Sequence, residues 1–225
     1  MTRALILSGH GRYADPWHPF PETSKRLADL LAECGLTTEI TGEVDERMAD
    51  LAYDRPDLLV VNVGDPALNA PDEPQPDAEA HGRRGLLDYL ATGRPLLGIH
   101  TASTTFRGVP EWRSILGGIW IRGESYHPPY AHFEVRVHSG KDSLAAGLTD
   151  FSIADERYSN LSCAGGNIVF ARHIDDSGET PLAWHRFYGS EHAKVVYDAL
   201  GHDTASYDSE GHRALLKRSI DWLLA

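Results

Sequence analysis

Arg94-Pro95-Leu96-Leu97-Gly98-Ile99-His100-Thr101-Ala102-Ser103-Thr104-Thr105-Phe106 is the stretch whose reading decides the fold. A short apolar run meets a glycine and a histidine, then small residues with helix-capping hydroxyls, which is the pattern of a buried strand stopping abruptly at a helix start. The turn is expected to lift His100 out of the sheet. Gly98 is expected to take backbone angles that other residues resist, and Thr101, Ala102 and Ser103 to let the next helix begin at once. A side chain at such a tip is held rigidly beside the free N–H groups of a helix N-terminus. Hydrolases of this layout carry serine or cysteine there, whereas the imidazole of His100 is a poor acyl nucleophile but a good proton carrier or metal ligand.

Upstream, residues 3–8 read as a first buried strand entering the flexible Gly9-His10-Gly11 loop, which runs on through Tyr13, Asp15, Trp17, His18 and Phe20. Leu27, Leu30, Leu31 and Cys34 recur at helical spacing and predict a helix from near Glu22 to Gly35. Thr37 to Ile40 is a short second strand, residues 58–63 a third ending in Gly64-Asp65, and a helix over about 77–91 leads back to the central strand. This alternation predicts a mostly parallel sheet with helices on both faces. Ligands then bind outside the C-terminal strand ends, where the loops carrying His10 to His18, Gly64-Asp65 and His100 should converge.

The second half reads differently. Residues 132–137 alternate like a half-exposed strand, Asn167 to Ile174, Pro181 to His185 and Ala193 to Tyr197 look like successive strands with antiparallel pairs, and 209–224 is a closing helix. No linker, repeat or low-complexity tract interrupts the 225 residues, so the reading is a single domain over 1–225.

The balance of 21 basic against 33 acidic residues gives a net charge of −12, which argues against nucleic acid or an anionic membrane as the main partner. Cys34 and Cys163, the two cysteines, stand in no metal or redox spacing, so neither a disulfide framework nor a thiol zinc site is indicated, and a reducing cytoplasm is the simplest home. The start, Met1 to Ser8, is too short an apolar run for a signal peptide, and no window approaches the roughly 18 apolar residues of a membrane span. Neither a dinucleotide glycine fingerprint nor a phosphate-binding loop is present, so no nucleotide cofactor is expected.

Several motifs in order resemble the ThuA-like family. They are Gly98-Ile99-His100-Thr101 with Thr104-Thr105-Phe106, Trp112 with Leu116-Gly117-Gly118, His127, Asp155-Glu156-Arg157-Tyr158, and Pro181-Leu182-Ala183-Trp184. Tyr197 with Leu200-Gly201-His202-Asp203 and the terminal Ile220-Asp221-Trp222 complete the set. The resemblance implies an α/β fold that is flavodoxin-like, a class I glutamine amidotransferase-like three-layer sandwich without the thiol nucleophile of the amidotransferases. It also implies a link to trehalose and related disaccharide utilisation, including routes through 3-keto-glycosides. Two segments depart from the family pattern: Lys141-Asp142-Ser143 replaces a histidine-proline pair, and Gly189-Ser190-Glu191-His192 replaces a glycine-rich lead.

The candidate catalytic residues are His100, Glu156, His202 and Tyr158, with His18, Asp65, His127, Thr101 and Trp17 as candidate substrate contacts. Histidines and a carboxylate from separate loops also suit a divalent, zinc-like ion, for which His100, His127, Glu156 and His202 are the candidate ligands. Each has a plainer alternative. Glu156 could pair with Arg157 on the surface, His127 and His202 could pack loops, and His10 and His18 lie in a loop whose glycines and prolines collect histidines without function. His132 could face either side of its strand, and His138, His173, His185, His192 and His212 read as surface or structural. Aromatics invite sugar stacking, although core packing suits Trp120 and Trp222 better.

These readings combine into an enzyme, a hydrolase, lyase or isomerase acting on a sugar derivative such as a 3-keto-disaccharide, by acid–base or metal-assisted chemistry. The alternative is a non-catalytic carbohydrate-binding or regulatory protein on the same fold. A thiol amidotransferase or peptidase is disfavoured, because Cys34 lies on a helix's apolar face and Cys163 follows no strand–glycine signal. The expected partner is a small-molecule sugar derivative, with no nucleic acid and no membrane, and a homodimer is left open.

Overall fold

A computed structural model describes residues 2–141, 143–175 and 178–225. Met1 and the Asp142 of the Lys141-Asp142-Ser143 departure lie outside them. The first half contains β1 (Arg3–Ser8), α1 (Phe20–Glu33), β2 (Thr37–Thr41), α2 (Val44–Asp50), β3 (Leu58–Asn62), α3 (Pro66–Asn69), α4 (Pro76–Leu90) and β4 (Leu96–Ile99). The second half adds α5 (Trp112–Leu116), β5 (Gly118–Ile119), β6 (Ala131–Val137), β7 (Phe151–Asp155), β8 (Ser162–Cys163), β9 (Ile168–Asp175), β10 (Gly178–Tyr188), β11 (Ala193–Asp198) and α6 (Glu210–Leu224).

Nine strands form one sheet in the order β2-β1-β3-β4-β11-β10-β9-β6-β7, and β5 pairs with β8 separately. The block from β2 to β11 is parallel, whereas β10, β9, β6 and β7 extend it by antiparallel pairing. The apolar run of β3 is buried along its whole length, as in a strand covered on both faces. From β1 the chain moves outward to β2, then back across the sheet to β3 and β4. Right-handed crossovers therefore put α1 on one face and α2 and α4 on the other. The helix contacts agree, since α1 packs on α6 and α2 on α4. The reversal of direction at β1 and β3 opens a crevice at their C-terminal ends.

The region around His100 differs from expectation in two ways. A short 3-10 turn over His100–Ser103, rather than an α-helix, follows β4, and the first regular helix after it is α5. The unusual backbone belongs to His100 itself, at φ 44°, not to Gly98. Gly98 is needed for space: a Cβ there would lie 2.5 Å from Leu116 Cδ1 and 3.3 Å from the Ala102 Cβ. A histidine in the left-handed region persists only where its surroundings over-determine it. Here the Tyr197 hydroxyl donates to the His100 carbonyl at 2.8 Å, and the Trp112 indole donates to the Ala102 carbonyl at 2.8 Å. Two short helices, α2 and α3, were not anticipated. Each is too short for a periodic pattern, and α3 depends on Asp65, whose carboxylate caps the Ala67 N–H at 3.0 Å.

Candidate active site

The loops after β1, β3, β4, β7 and β11 meet in one cleft of about 560 Å³ at the mouth of the sheet. The β4–β11 register sets Ile99 beside Asp198, so Ala199 falls next to His100. The Ala199 carbonyl can only accept, and His100 Nδ1 lies 2.7 Å from it; the proton therefore sits on Nδ1 and Nε2 faces inward. His100 is only 1% exposed, so the bend does not lift it into the open as expected; it lies behind Glu156, Tyr158, His18 and His202, which line the cleft.

Glu156 is the hub. One of its oxygens, Oε2, lies 3.4 Å from His100 Nε2 and 3.2 Å from His202 Nδ1, and Oε1 lies 3.6 Å from His127 Nδ1. Its side chain turns into the cleft instead of pairing with Arg157, whose guanidinium lies over the Phe133 ring. Burial disfavours the Glu156 charge, yet His100 and His202 outweigh it and hold the carboxyl well below the usual carboxylate range. His202 is the counterpart: burial opposes its charge, but Glu156 wins and raises its pKa.

Asp155, one residue earlier, has a different task. Its carboxylate accepts from the N–H of Gly201 at 2.8 Å, from the hydroxyl of Ser206 at 2.6 Å and from the N–H of its own neighbour Glu156 at 2.7 Å. It thereby ties the loop bearing His202 to the strand end bearing Glu156. Gly201, at φ 111°, is required there, since a Cβ would come within 2.8 Å of the Tyr207 hydroxyl.

His18 enters from the β1 loop. Asp15 accepts the backbone N–H groups of Trp17 and His18 at 2.9 Å and faces His18 Nδ1 at 2.8 Å. Burial, joined by the nearby rings of His100 and His202, lowers the His18 pKa despite Asp15. The rings of His18 and His202 are 4.8 Å apart, and those of His18 and His100 5.2 Å.

The structure thus brings His18, His100, His202, Glu156 and Tyr158 together, the Tyr158 ring lying 4.2 Å from that of His100. Thr101, Asp65, Trp17 and His127 also line the cleft. His127 sits at the rim, with Nδ1 3.0 Å from the Pro128 carbonyl, and falls outside the tightest group of ligand-type atoms; that group is His18, His100, His202 and Glu156. Asp65 is buried and paired with Arg107 at 2.8 Å and Arg122 at 2.7 Å. Trp120 packs against the core and also lines the cleft. The sequence reading missed Arg107, Arg122, Asn69 and Thr104 in the lining, and the role of Asp15. The spacing Asp15-Pro16-Trp17-His18 was a usable signal for that role; nothing local marked Arg122. His10 and His132 are exposed and outside the cleft. Cys34 and Cys163 do not line it either, and burial pushes both thiols up. Among the described residues no helix is long and apolar enough to cross a membrane.

A parallel sheet with its cleft at a strand-to-turn bend is the layout of the class I glutamine amidotransferase-like proteins. The chain superposes on a glutamine amidotransferase of Thermotoga maritima with a TM-score of 0.56 at 10% identity, covering 99% of this chain and 98% of that one. Two ThuA-like proteins are more similar in shape. That of Parabacteroides merdae gives a TM-score of 0.77 at 18% identity over 100% of this chain and 90% of the other. That of Bacteroides uniformis gives 0.72 at 16% identity over 98% and 90%. The family model described as ThuA, trehalose utilisation, matches residues 3–223, and the chain belongs to that family. None of the curated proteins matches the chain.

Proposed function

We propose that this protein is an enzyme of disaccharide metabolism, a hydrolase, lyase or isomerase acting on an oxidised, 3-keto derivative of trehalose or a related glycoside. The observation that carries the reading is His100 at the bend, its Nε2 3.4 Å from the carboxylate of Glu156, which lines an open cleft. A ketone at C3 acidifies the C2–H, and loss of that proton allows the C1–O bond to break, with a proton delivered to the departing glycosidic oxygen. Imidazoles gathered around one carboxylate can remove the first proton, hold the enolate charge and return the second. The cleft walls suit a sugar: Trp17 and Trp120 offer faces for the apolar side of a pyranose, and Thr101, Asn69 and Asp15 offer partners for hydroxyls.

No thiol takes part in this scheme. The chain works as one domain on a small molecule in the cytoplasm, with no nucleic-acid or membrane partner. The test is turnover of 3-keto-trehalose by the wild type and by His100→Ala. Loss of product formation in the variant supports the scheme, and equal rates in both remove His100 from it. Tight binding of disaccharides by the wild type, with no product over long incubation, would instead make the protein a carbohydrate-binding member of the family.

A further inference from the structure

The cluster at the cleft floor could act through protons alone or around a cation, and its hydrogen-bonding separates the two. His100 donates from Nδ1 to the Ala199 carbonyl at 2.7 Å, and His18 donates from Nδ1 to the Asp15 carboxylate at 2.8 Å. In both rings the nitrogen left over, Nε2, carries a lone pair. Both Nε2 atoms are buried and without a hydrogen-bond partner, and His202 Nδ1, buried with them, faces only the Glu156 carboxylate at 3.2 Å. They converge with a carboxylate oxygen of Glu156, so that none of the four atoms lies more than 4.8 Å from another. Single unpartnered imidazole nitrogens also occur at His173 and His185, but no other such group of ligand atoms exists among the described residues.

Lone pairs aimed at one another and at a carboxylate repel unless positive charge lies between them. We infer that His18 Nε2, His100 Nε2, His202 Nδ1 and Glu156 form a binding site for a divalent first-row metal ion of the zinc type. This inference deepens the proposed function, and it concerns the same cleft. Three neutral imidazoles and one carboxylate are a donor set that suits borderline ions and not calcium or magnesium. Tetrahedral bonds of about 2.0–2.1 Å put ligand atoms about 3.4 Å apart. The Glu156 oxygen already stands 3.4 Å from His100 Nε2 and 3.2 Å from His202 Nδ1.

Asp15 and the Ala199 carbonyl play the part that outer partners play at metal sites, fixing ring orientation and tautomer by taking the other N–H. Asp15 is therefore a positioning residue. His127, which the sequence had placed among the ligands, stays at the rim, where its ring can exchange protons with a bound substrate.

The experiment uses full-length protein purified without an affinity tag or nickel, stripped with a chelator and dialysed. Zn²⁺ and Co²⁺ are titrated by calorimetry, and the Co²⁺ form is examined by visible absorption. The expected result is one ion per chain with an imidazole-type Co²⁺ spectrum. Affinity should fall by more than tenfold in His18→Gln and by about 10- to 100-fold in Asp15→Asn, and stay unchanged in the exposed His10→Ala. Absence of saturable binding by the wild type, or equal affinity in wild type, His18→Gln and Asp15→Asn, overturns the inference. Should His18→Gln fail to fold, Asp15→Asn and the wild-type Co²⁺ spectrum still decide it. Stoichiometry is read without substrate, so a chain that binds the ion but leaves 3-keto-trehalose intact would refute the substrate reading alone.

Discussion

Two clusters of histidine and carboxylate, the interior one joined by a serine, lie back to back across the Asp155–Glu156 peptide bond, and they are built to opposite ends. On the interior side His212 is wholly buried, with Nε2 3.0 Å from Asp198 Oδ2 and Nδ1 3.0 Å from the Ser206 carbonyl. Asp198 only accepts, so Nε2 donates to it, and Nδ1 also meets the Ser206 hydroxyl at 2.9 Å, so the ring faces a carboxylate that favours its charged form. Ser206 passes the network on to Asp155 at 2.6 Å. The arrangement of Ser206, His212 and Asp198 has the composition of a nucleophilic triad, but among the described residues it does not line the cleft, and its donors and acceptors are matched. On the mouth side histidines and a carboxylate, with no serine among them, leave three imidazole nitrogens unmatched beside Glu156. Residue type therefore does not mark a site; unmatched polarity facing a cleft does.

The comparison breaks first if the mouth cluster proves dispensable. His100→Asn keeps a residue that tolerates the left-handed backbone and removes the imidazole, and turnover of a 3-keto-glycoside should drop by about 10²- to 10⁴-fold with the melting temperature little changed. A fall in melting temperature with turnover intact would assign this cluster to the scaffold as well. The interior cluster should behave in the reverse manner. His212→Ala leaves Asp198 buried without its cation and should cost about 3–5 kcal/mol in urea unfolding, while the surviving folded fraction keeps its turnover per molecule.

Between the two sits Gly201. Gly201→Ala forces a side chain into a backbone at φ 111° against the Tyr207 hydroxyl, and about 1–3 kcal/mol of stability should be lost together with part of the turnover, because His202 is carried by the same loop. An effect on one quantity alone would show that the clusters are mechanically separate.

A gentler probe is pH. Burial opposes the His212 charge, but Asp198, helped by the Ser206 carbonyl and the more distant Asp155, raises its pKa. The folded state therefore holds this proton more tightly than the unfolded chain does. The resulting stability is complete below about 6.5, the unfolded histidine value, and is lost as pH climbs through the raised folded value. The difference in unfolding free energy between wild type and His212→Gln should shrink across that rise, measured by denaturant titration at a series of pH values; a constant difference would mean that the ring is neutral. The smallest effect belongs to the rim. Trp17 is 63% exposed, and Trp17→Ala should raise KM by about 2- to 10-fold with kcat nearly unchanged, as expected for a stacking contact made equally in ground and transition state.

Much of the frame was legible in the chain itself. The apolar runs of β1, β3 and β4, each ending in a glycine or histidine turn, announced a parallel sheet whose mouth would carry His18, Asp65 and His100, because strand burial is written in local composition. The bend at His100 was legible for the same reason, although local composition points to Gly98 and the left-handed residue is His100. The short α2 and α3 escaped, since seven and four residues are too few for a periodic signal. The division of labour inside Asp155-Glu156 also escaped, because two adjacent carboxylates look alike until one is seen accepting four hydrogen bonds and the other facing imidazoles.

By itself, then, the sequence determined the class of sheet, the bend that presents His100 and the loops that would gather around it, since these follow from which residues avoid water and where the backbone turns. Only the tertiary structure decided that His18 joins the cluster in place of His127, that Trp120 serves the cleft as well as the core, and that His212 is matched while His18, His100 and His202 are not. Hydrogen-bond satisfaction depends on partners brought together from distant parts of the chain. Ala199 reaches His100 through the register of two parallel strands, and no local pattern of residues encodes that meeting.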